Sequence, residues 1–186
     1  MGEEERPRVW GKATRAIHAG GLPRPVYGEV SVPIFQTSPF AFPTAEEGAA
    51  RFSGEAPGFI YTRMGNPTVR ALEEGVAALE EGAAGLAAAT GMAAIAAVLL
   101  GLLKQGDHVL AGDCLYGPTM TVISRELPRF GIAASFVDTA DPPAVARAFQ
   151  PHTRLLFLET PANPTLKITD IAELVRLCRD RGILVA

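Results

Sequence analysis

The stretch AAATGMAAIAAVLLGLLKQGDHVLAG (residues 87–112) decides the architecture. From Ala83 to Leu103 no residue is charged, a run of about twenty, the length of a membrane-spanning helix. Its content argues against that reading. Thr90-Gly91 interrupts it, much of it is Ala and Gly, and the strongly apolar part, Met92 to Leu103, is the length of a buried core helix. The stretch then reads as a strand (GLAAA), a tight turn at Thr90-Gly91, a helix from Met92, the turn signal KQGD, and a second strand, HVLAG.

The same alternation continues downstream. PTMTVISRELPRF predicts a helix broken near Pro128, IAASFVD a strand, and DPPAVARAFQ a helix opened by Asp141 and prolines. RLLFLET is a strand, PANPT a loop, and TDIAELVRLCRDRG a helix capped by Thr169 with Gly182 at its end. ILVA reads as a further strand. Strands alternating with helices imply βαβ units, hence an α/β fold with a largely parallel sheet covered on both faces.

Upstream, Asn66-Pro67 is a helix start, followed by Val69, Leu72, Val76 and Leu79 at helical spacing and a stop at Gly82. Residues 1–62 are rich in Pro and Gly and lack periodicity, so an extended arm is expected there, with residues 63–186 forming the α/β domain. Phe35, Phe40, Phe42 and Phe52 need a surface to cover their rings, and a partner subunit is a natural one.

Composition narrows the classes. With 48% apolar and 20% charged residues the chain is that of a globular protein, and a formal charge of −3 offers no basic footprint for nucleic acid. No membrane segment or secretory signal is expected at MGEEERPRVWGK. Cys114 and Cys178 lack metal-ligand spacing, so no metal site is expected, and two free thiols in a reducing cytoplasm are.

In parallel sheets ligands bind outside the carboxyl ends of the strands, and three loops fall there. At Thr90-Gly91-Met92 the free N–H groups of a helix start favour an anion, and Gly91 permits close approach. Read alone, an ordinary strand–helix turn capped by Thr90 explains it more simply. In GDCLYGPT, Tyr116 can stack on a planar ligand or move protons, or merely pack on the turn. In LFLETPANPT, Glu159 and Asn163 can bond a ligand oxygen; equally, Glu159 can pair with an Arg and Asn163 make a turn. Finally, FIYTRMGNPT sets Tyr61 and Arg63 on one side of an extended segment, where both could donate to a phosphate, the alternative being a packed Tyr beside a solvated Arg.

YTRMGNPT, ATGMAAI, LYGPT and ETPANPT, in this order, together with TRAIHAGG and VPIFQTSPFAF, resemble the pyridoxal-phosphate enzymes of cysteine and methionine metabolism. The resemblance covers nearly the whole chain and implies an aspartate-aminotransferase-like, fold type I large domain, present in part, with pyridoxal 5'-phosphate as cofactor. It implies that Gly91 and Met92 hold the phosphate and that Tyr61 and Arg63 reach the phosphate of the neighbouring subunit in a homo-oligomer, a dimer of dimers. It implies that Tyr116 stacks on the ring and moves protons, that Asn163 bonds the phenolic oxygen, and that Glu159 supports that region.

The family's cofactor-bearing lysine and the Asp that meets the pyridine nitrogen lie downstream. The only lysines here are Lys12, Lys104 and Lys167, none in that motif, so a portion inactive by itself is expected. FAFPTAEEGAARFSGE leans the resemblance toward methionine γ-lyases acting on a small sulfur amino acid. Pro118 stands where one group of those lyases has a cysteine, which keeps γ-replacement, by an O-acylhomoserine sulfhydrylase or cystathionine γ-synthase, as the alternative. A non-catalytic chain acting through subunit association is the alternative of another class.

Overall fold

The computed structural model describes residues 10–21 and 27–186. They form two compact units divided at the Ala87–Ala88 bond.

In the first unit, three helices punctuate an otherwise extended chain: α1 (Lys12–His18), α2 (Ala45–Ser53) and α3 (Pro67–Leu79). Two of them lie inside the segment expected to be an extended arm. α2 has a local cause that the sequence reading missed. Thr44 caps it, its side chain accepting the Glu47 N–H at 3.2 Å, and Glu47 stands at the third helical position, the pattern of a capping box. Gly54 closes the helix in the left-handed conformation (φ 78°).

α3 begins as expected. Asn66 accepts the Thr68 N–H at 2.9 Å, and Pro67 occupies the first turn. Asn66 also donates to the Phe35 carbonyl at 2.9 Å, while Thr68 donates to the Pro33 carbonyl at 2.8 Å and accepts the Phe35 N–H at 3.0 Å. These bonds strap the 33–35 segment across the start of α3. Several rings of the arm cover one another: Phe40 lies 5.5 Å from Phe59 and Phe42 lies 6.0 Å from Phe52, centroid to centroid. Arg70 sits 4.2 Å over the Phe59 ring. The apolar stripe of α3 remains uncovered, with Val69, Leu72, Val76 and Leu79 all exposed.

Residues 85–89, expected as a strand, form none. The Ala87 N–H, which a ladder would need, goes to the Glu73 carboxylate at 2.8 Å, and Gly85 runs so close to α3 that a Cβ there would stand 2.4 Å from the Glu73 carbonyl oxygen.

The second unit carries α4 (Gly91–Leu102), β1 (His108–Gly112), α5 (Gly117–Thr121), β2 (Ala133–Val137), α6 (Pro142–Ala148), β3 (Thr153–Phe157), α7 (Ile171–Arg179) and β4 (Leu184–Val185). The sheet is entirely parallel, in the order β2-β1-β3-β4. Its central strands are buried on both faces, as two-sided cover demands. Val109, Ala111, Leu155 and Phe157 pack with Leu99 of α4 and Ile123 of the segment after α5. Leu110 and Leu156, one residue out of phase, pack instead with Val145 of α6 and Leu174 and Cys178 of α7. The core forms two layers, one on either face of one sheet.

The helix expected from Pro118 does not simply break near Pro128. It passes from α5 into a wider turn over Val122–Glu126 and a tighter one over Leu127–Phe130, where Pro128 has no N–H to continue an α ladder. The cap of α7 is Asp170, which accepts the Glu173 N–H at 2.9 Å, rather than Thr169. Thr169 is buried and pairs its hydroxyl with Thr139 at 2.8 Å. No helix of the described residues is long and apolar enough to cross a membrane.

Candidate functional site

The carboxyl ends of β1 and β3 and the start of α4 bring three of the expected loops together. Thr90 is extended (φ −147°, ψ 157°), and its side chain accepts the Ala93 N–H at 3.1 Å. That cap leaves the N–H groups of Gly91 and Met92, in the first turn, without an intrahelical acceptor. An ideal Cβ on Gly91 would meet nothing within 4 Å. The helix therefore opens onto free space, with two donors and the positive end of its dipole facing outward.

The Met92 sulfur accepts a bond from the buried Thr119 hydroxyl at 3.8 Å, so the start of α5 lies beside that of α4. Tyr116 precedes α5 and is more than half exposed. Its backbone N–H donates to one oxygen of Glu159 at 2.9 Å, and the Asn163 N–H donates to the other at 3.4 Å. Among the described residues no Arg pairs with Glu159. Its two oxygens instead join the loop after β1 to the loop after β3.

Asn163 projects from a closed turn. The Ala162 N–H donates to the Lys167 carbonyl at 3.0 Å, and the Leu166 N–H to the Ala162 carbonyl at 2.7 Å. Both X–Pro bonds of the loop, Thr160–Pro161 and Asn163–Pro164, are cis. The carboxamide of Asn163 and the hydroxyl of Tyr116 have no partner among the described residues.

Tyr61 and Arg63 belong to the first unit. The segment is a turn rather than extended, because the Met64 and Gly65 N–H groups both close on the Tyr61 carbonyl, at 2.8 and 3.1 Å. The two side chains still share a side, the Arg63 guanidinium lying 5.1 Å over the Tyr61 ring.

Sequence reasoning missed Asp113, Asp138 and Lys167. The Lys167 ammonium lies 3.0 Å from each carboxylate. Asp113 directly follows β1 and Asp138 directly follows β2, the sheet edge where site residues gather, and that placement was the available signal.

Two helix-start donors, an exposed aromatic ring and a free carboxamide at the carboxyl edge of a parallel sheet suit a planar anionic ligand. The profile of the Cys/Met metabolism PLP-dependent enzymes matches residues 13–186. An L-methionine gamma-lyase of Fusobacterium nucleatum subsp. nucleatum is 49% identical over 167 residues, 90% of this chain and 42% of that protein. An O-succinylhomoserine sulfhydrylase of Pseudomonas aeruginosa is 41% identical over 93% of this chain and 43% of its own length.

Among solved structures, the protein assigned as an O-acetylhomoserine (thiol)-lyase of Campylobacter jejuni superposes with a TM-score of 0.89 at 33% identity, covering 95% of this chain and 44% of that one. That structure holds N'-pyridoxyl-lysine-5'-monophosphate at its position 205. This chain belongs to the Cys/Met metabolism family of PLP-dependent enzymes. It spans less than half the length of these relatives.

Proposed function

We propose that the protein is a pyridoxal-phosphate-dependent carbon–sulfur lyase of sulfur amino-acid metabolism, acting by γ-elimination on a methionine-like substrate. The observation that carries the reading is the joining, at one sheet edge, of the three segments that bear Gly91 and Met92, Tyr116, and Asn163: Thr119 bonds Met92, and Glu159 bonds the backbones of Tyr116 and Asn163. These residues fit the cofactor's parts: donors for a phosphate, a face for a pyridine ring and an amide for a phenolic oxygen.

Each residue of the chain then has a task. Gly91 and Met92 bind the phosphate through N–H groups that cost no reorganisation. Tyr116 would stack on the ring and would carry a proton to the departing sulfur. Asn163 would donate to the phenolic oxygen and help hold the ring in place. Glu159 acts through the backbones of Tyr116 and Asn163, holding the two loops at a fixed separation. When bound, pyridoxal phosphate supplies an electron sink conjugated to the substrate's α-carbon.

The protein is further proposed to be a homo-oligomer, a dimer of dimers, in which Tyr61 and Arg63 serve the phosphate of the neighbouring subunit. The uncovered stripe of α3 and the exposed Leu100 and Leu102 of α4 support association through apolar surface. A cytoplasmic location is part of the same proposal, supported by the free thiols Cys114 and Cys178.

The relatives favour γ-elimination, and the sulfhydrylase keeps γ-replacement as the alternative. The test supplies methionine, or an O-acylhomoserine with a thiol, to the protein expressed from its full reading frame. Release of thiol, ammonia and a 2-keto acid from methionine supports elimination. Thioether formation without keto acid assigns replacement, and neither product overturns the reading.

A further inference from the structure

The loops that carry Tyr116 and Asn163 are joined by Glu159, by a bond between Cys114 and Thr165, and by Lys167, which lies outside the cofactor-facing groups. Lys167 closes the Asn163 turn through its backbone, its carbonyl accepting the Ala162 N–H at 3.0 Å. Its side chain leaves that turn and places the ammonium 3.0 Å from Asp113 and 3.0 Å from Asp138. Asp113 lies three residues before Tyr116, and its N–H donates to the Val137 carbonyl at 2.9 Å, so the ends of β1 and β2 are already paired there. One ammonium thus meets the ends of two strands and the turn of a third.

We propose that Lys167 is a positioning residue, an electrostatic latch that pins the Asn163 turn to the Tyr116 loop and so sets the spacing of the cofactor-facing groups. The proposal rests on the function proposed above. The charges explain why one lysine is decisive. Without it, two carboxylates face each other across adjoining strand ends, and repulsion replaces attraction. The Asp113 and Asp138 side chains hold the Lys167 ammonium above its ordinary range. The Ala140 N–H first, and then Lys167, hold the Asp138 carboxyl below its own. The Lys167 ammonium and the Asp138 carboxylate therefore stay charged throughout the neutral range. Its ions are partly exposed, so salt weakens it. A neighbouring side-chain link, Cys114 Sγ to Thr165 Oγ1 at 3.1 Å, is uncharged and lacks that sensitivity.

The experiment uses the protein expressed from its full reading frame. It combines amide hydrogen exchange of residues 159–168 with the dissociation constant for pyridoxal phosphate, both at low and high salt. In the wild type, exchange of this turn should quicken with salt while the β1 and β3 amides stay protected. Lys167→Met should quicken it at all salt concentrations and weaken cofactor binding about three- to ten-fold, the weight of two partly exposed ion pairs. Lys167→Arg, or the charge swap Lys167→Asp with Asp138→Lys, should restore most of the protection.

A turn whose exchange ignores both salt and Lys167→Met overturns the latch, even if cofactor binds. A salt-sensitive turn in a protein that binds no cofactor keeps the latch and overturns the function instead. Should Lys167→Met fail to fold, the wild-type salt series decides alone.

Discussion

The Tyr116 N–H and the Glu159 carboxylate meet at 2.9 Å across 43 residues of sequence, and Glu159 reaches on to the Asn163 N–H at 3.4 Å. One side chain thereby couples a loop after β1 to a loop after β3. The coupling makes Glu159 a brace whose loss is felt at Tyr116 and Asn163. Glu159→Ala should weaken cofactor binding by about ten-fold or more, as expected when charge-assisted bonds worth about 1.5–3 kcal/mol disappear. Glu159→Gln keeps acceptor oxygen for one N–H and should lose less. Absorbance titration with pyridoxal phosphate checks both, and equal affinities for all three proteins would refute the brace.

Gly91 offers a way to remove one of the proposed phosphate donors without disturbing the fold. It is the first residue of α4, a position that suits proline, and Thr90 before it is already extended. A Cβ there meets nothing within 4 Å. Gly91→Pro should therefore leave the thermal midpoint unchanged or slightly raised while weakening cofactor binding about ten-fold. A fall in midpoint with unchanged affinity would show that the glycine serves the fold.

Gly20 predicts the opposite pattern. Its φ is +78°, and a Cβ would stand 2.1 Å from the Ala71 carbonyl oxygen of α3. Gly20→Ala should destabilise the packing of α1 on α3 by more than about 1 kcal/mol. Denaturant unfolding of the variant against wild type measures this, and a midpoint shift near zero would contradict the close approach.

His108 gives the fold a pH dependence. Its ring is buried, with Nδ1 2.8 Å from the Thr153 hydroxyl and Nε2 2.9 Å from the Ser135 hydroxyl, bridging β1 to β3 and β2. Burial pushes the imidazole below its ordinary 6.5. Below that pH the unfolded chain takes up a proton that the folded chain refuses. The stabilisation is thus full above about 6.5 and is lost as the pH falls from there toward the folded value. His108→Leu should cost about 1–3 kcal/mol at pH 8 by removing the ring's bonds to the buried Thr153 hydroxyl and the half-buried Ser135 hydroxyl. The gap between wild type and variant should narrow as the pH drops to 5, and a constant gap would sink the account.

How far the sequence foretold all this varies with the range of the interaction. HVLAG became β1 residue for residue, and Asn66-Pro67 opened α3, because an apolar run and a helix cap are written locally. The Gly91-Met92 turn was legible for the same reason. Non-local bonds hid the rest. GLAAA made no strand because Glu73 took the Ala87 N–H, and Thr169 gave up its expected capping role for a hydroxyl thirty residues away. Tyr61 and Arg63 came together in a turn that alternating extended spacing does not describe. The Thr44–Glu47 box, by contrast, was local and could have been read.

The most direct test of the central claim is the amount of pyridoxal phosphate retained per chain, after exhaustive dialysis, by the protein expressed from its full reading frame. One cofactor per chain is predicted, with the retained fraction reduced in Gly91→Pro and in Asn163→Ala. No retained cofactor in a folded wild-type protein, or full retention in both variants, would contradict a cofactor site built from the Gly91-Met92 turn, Tyr116 and Asn163.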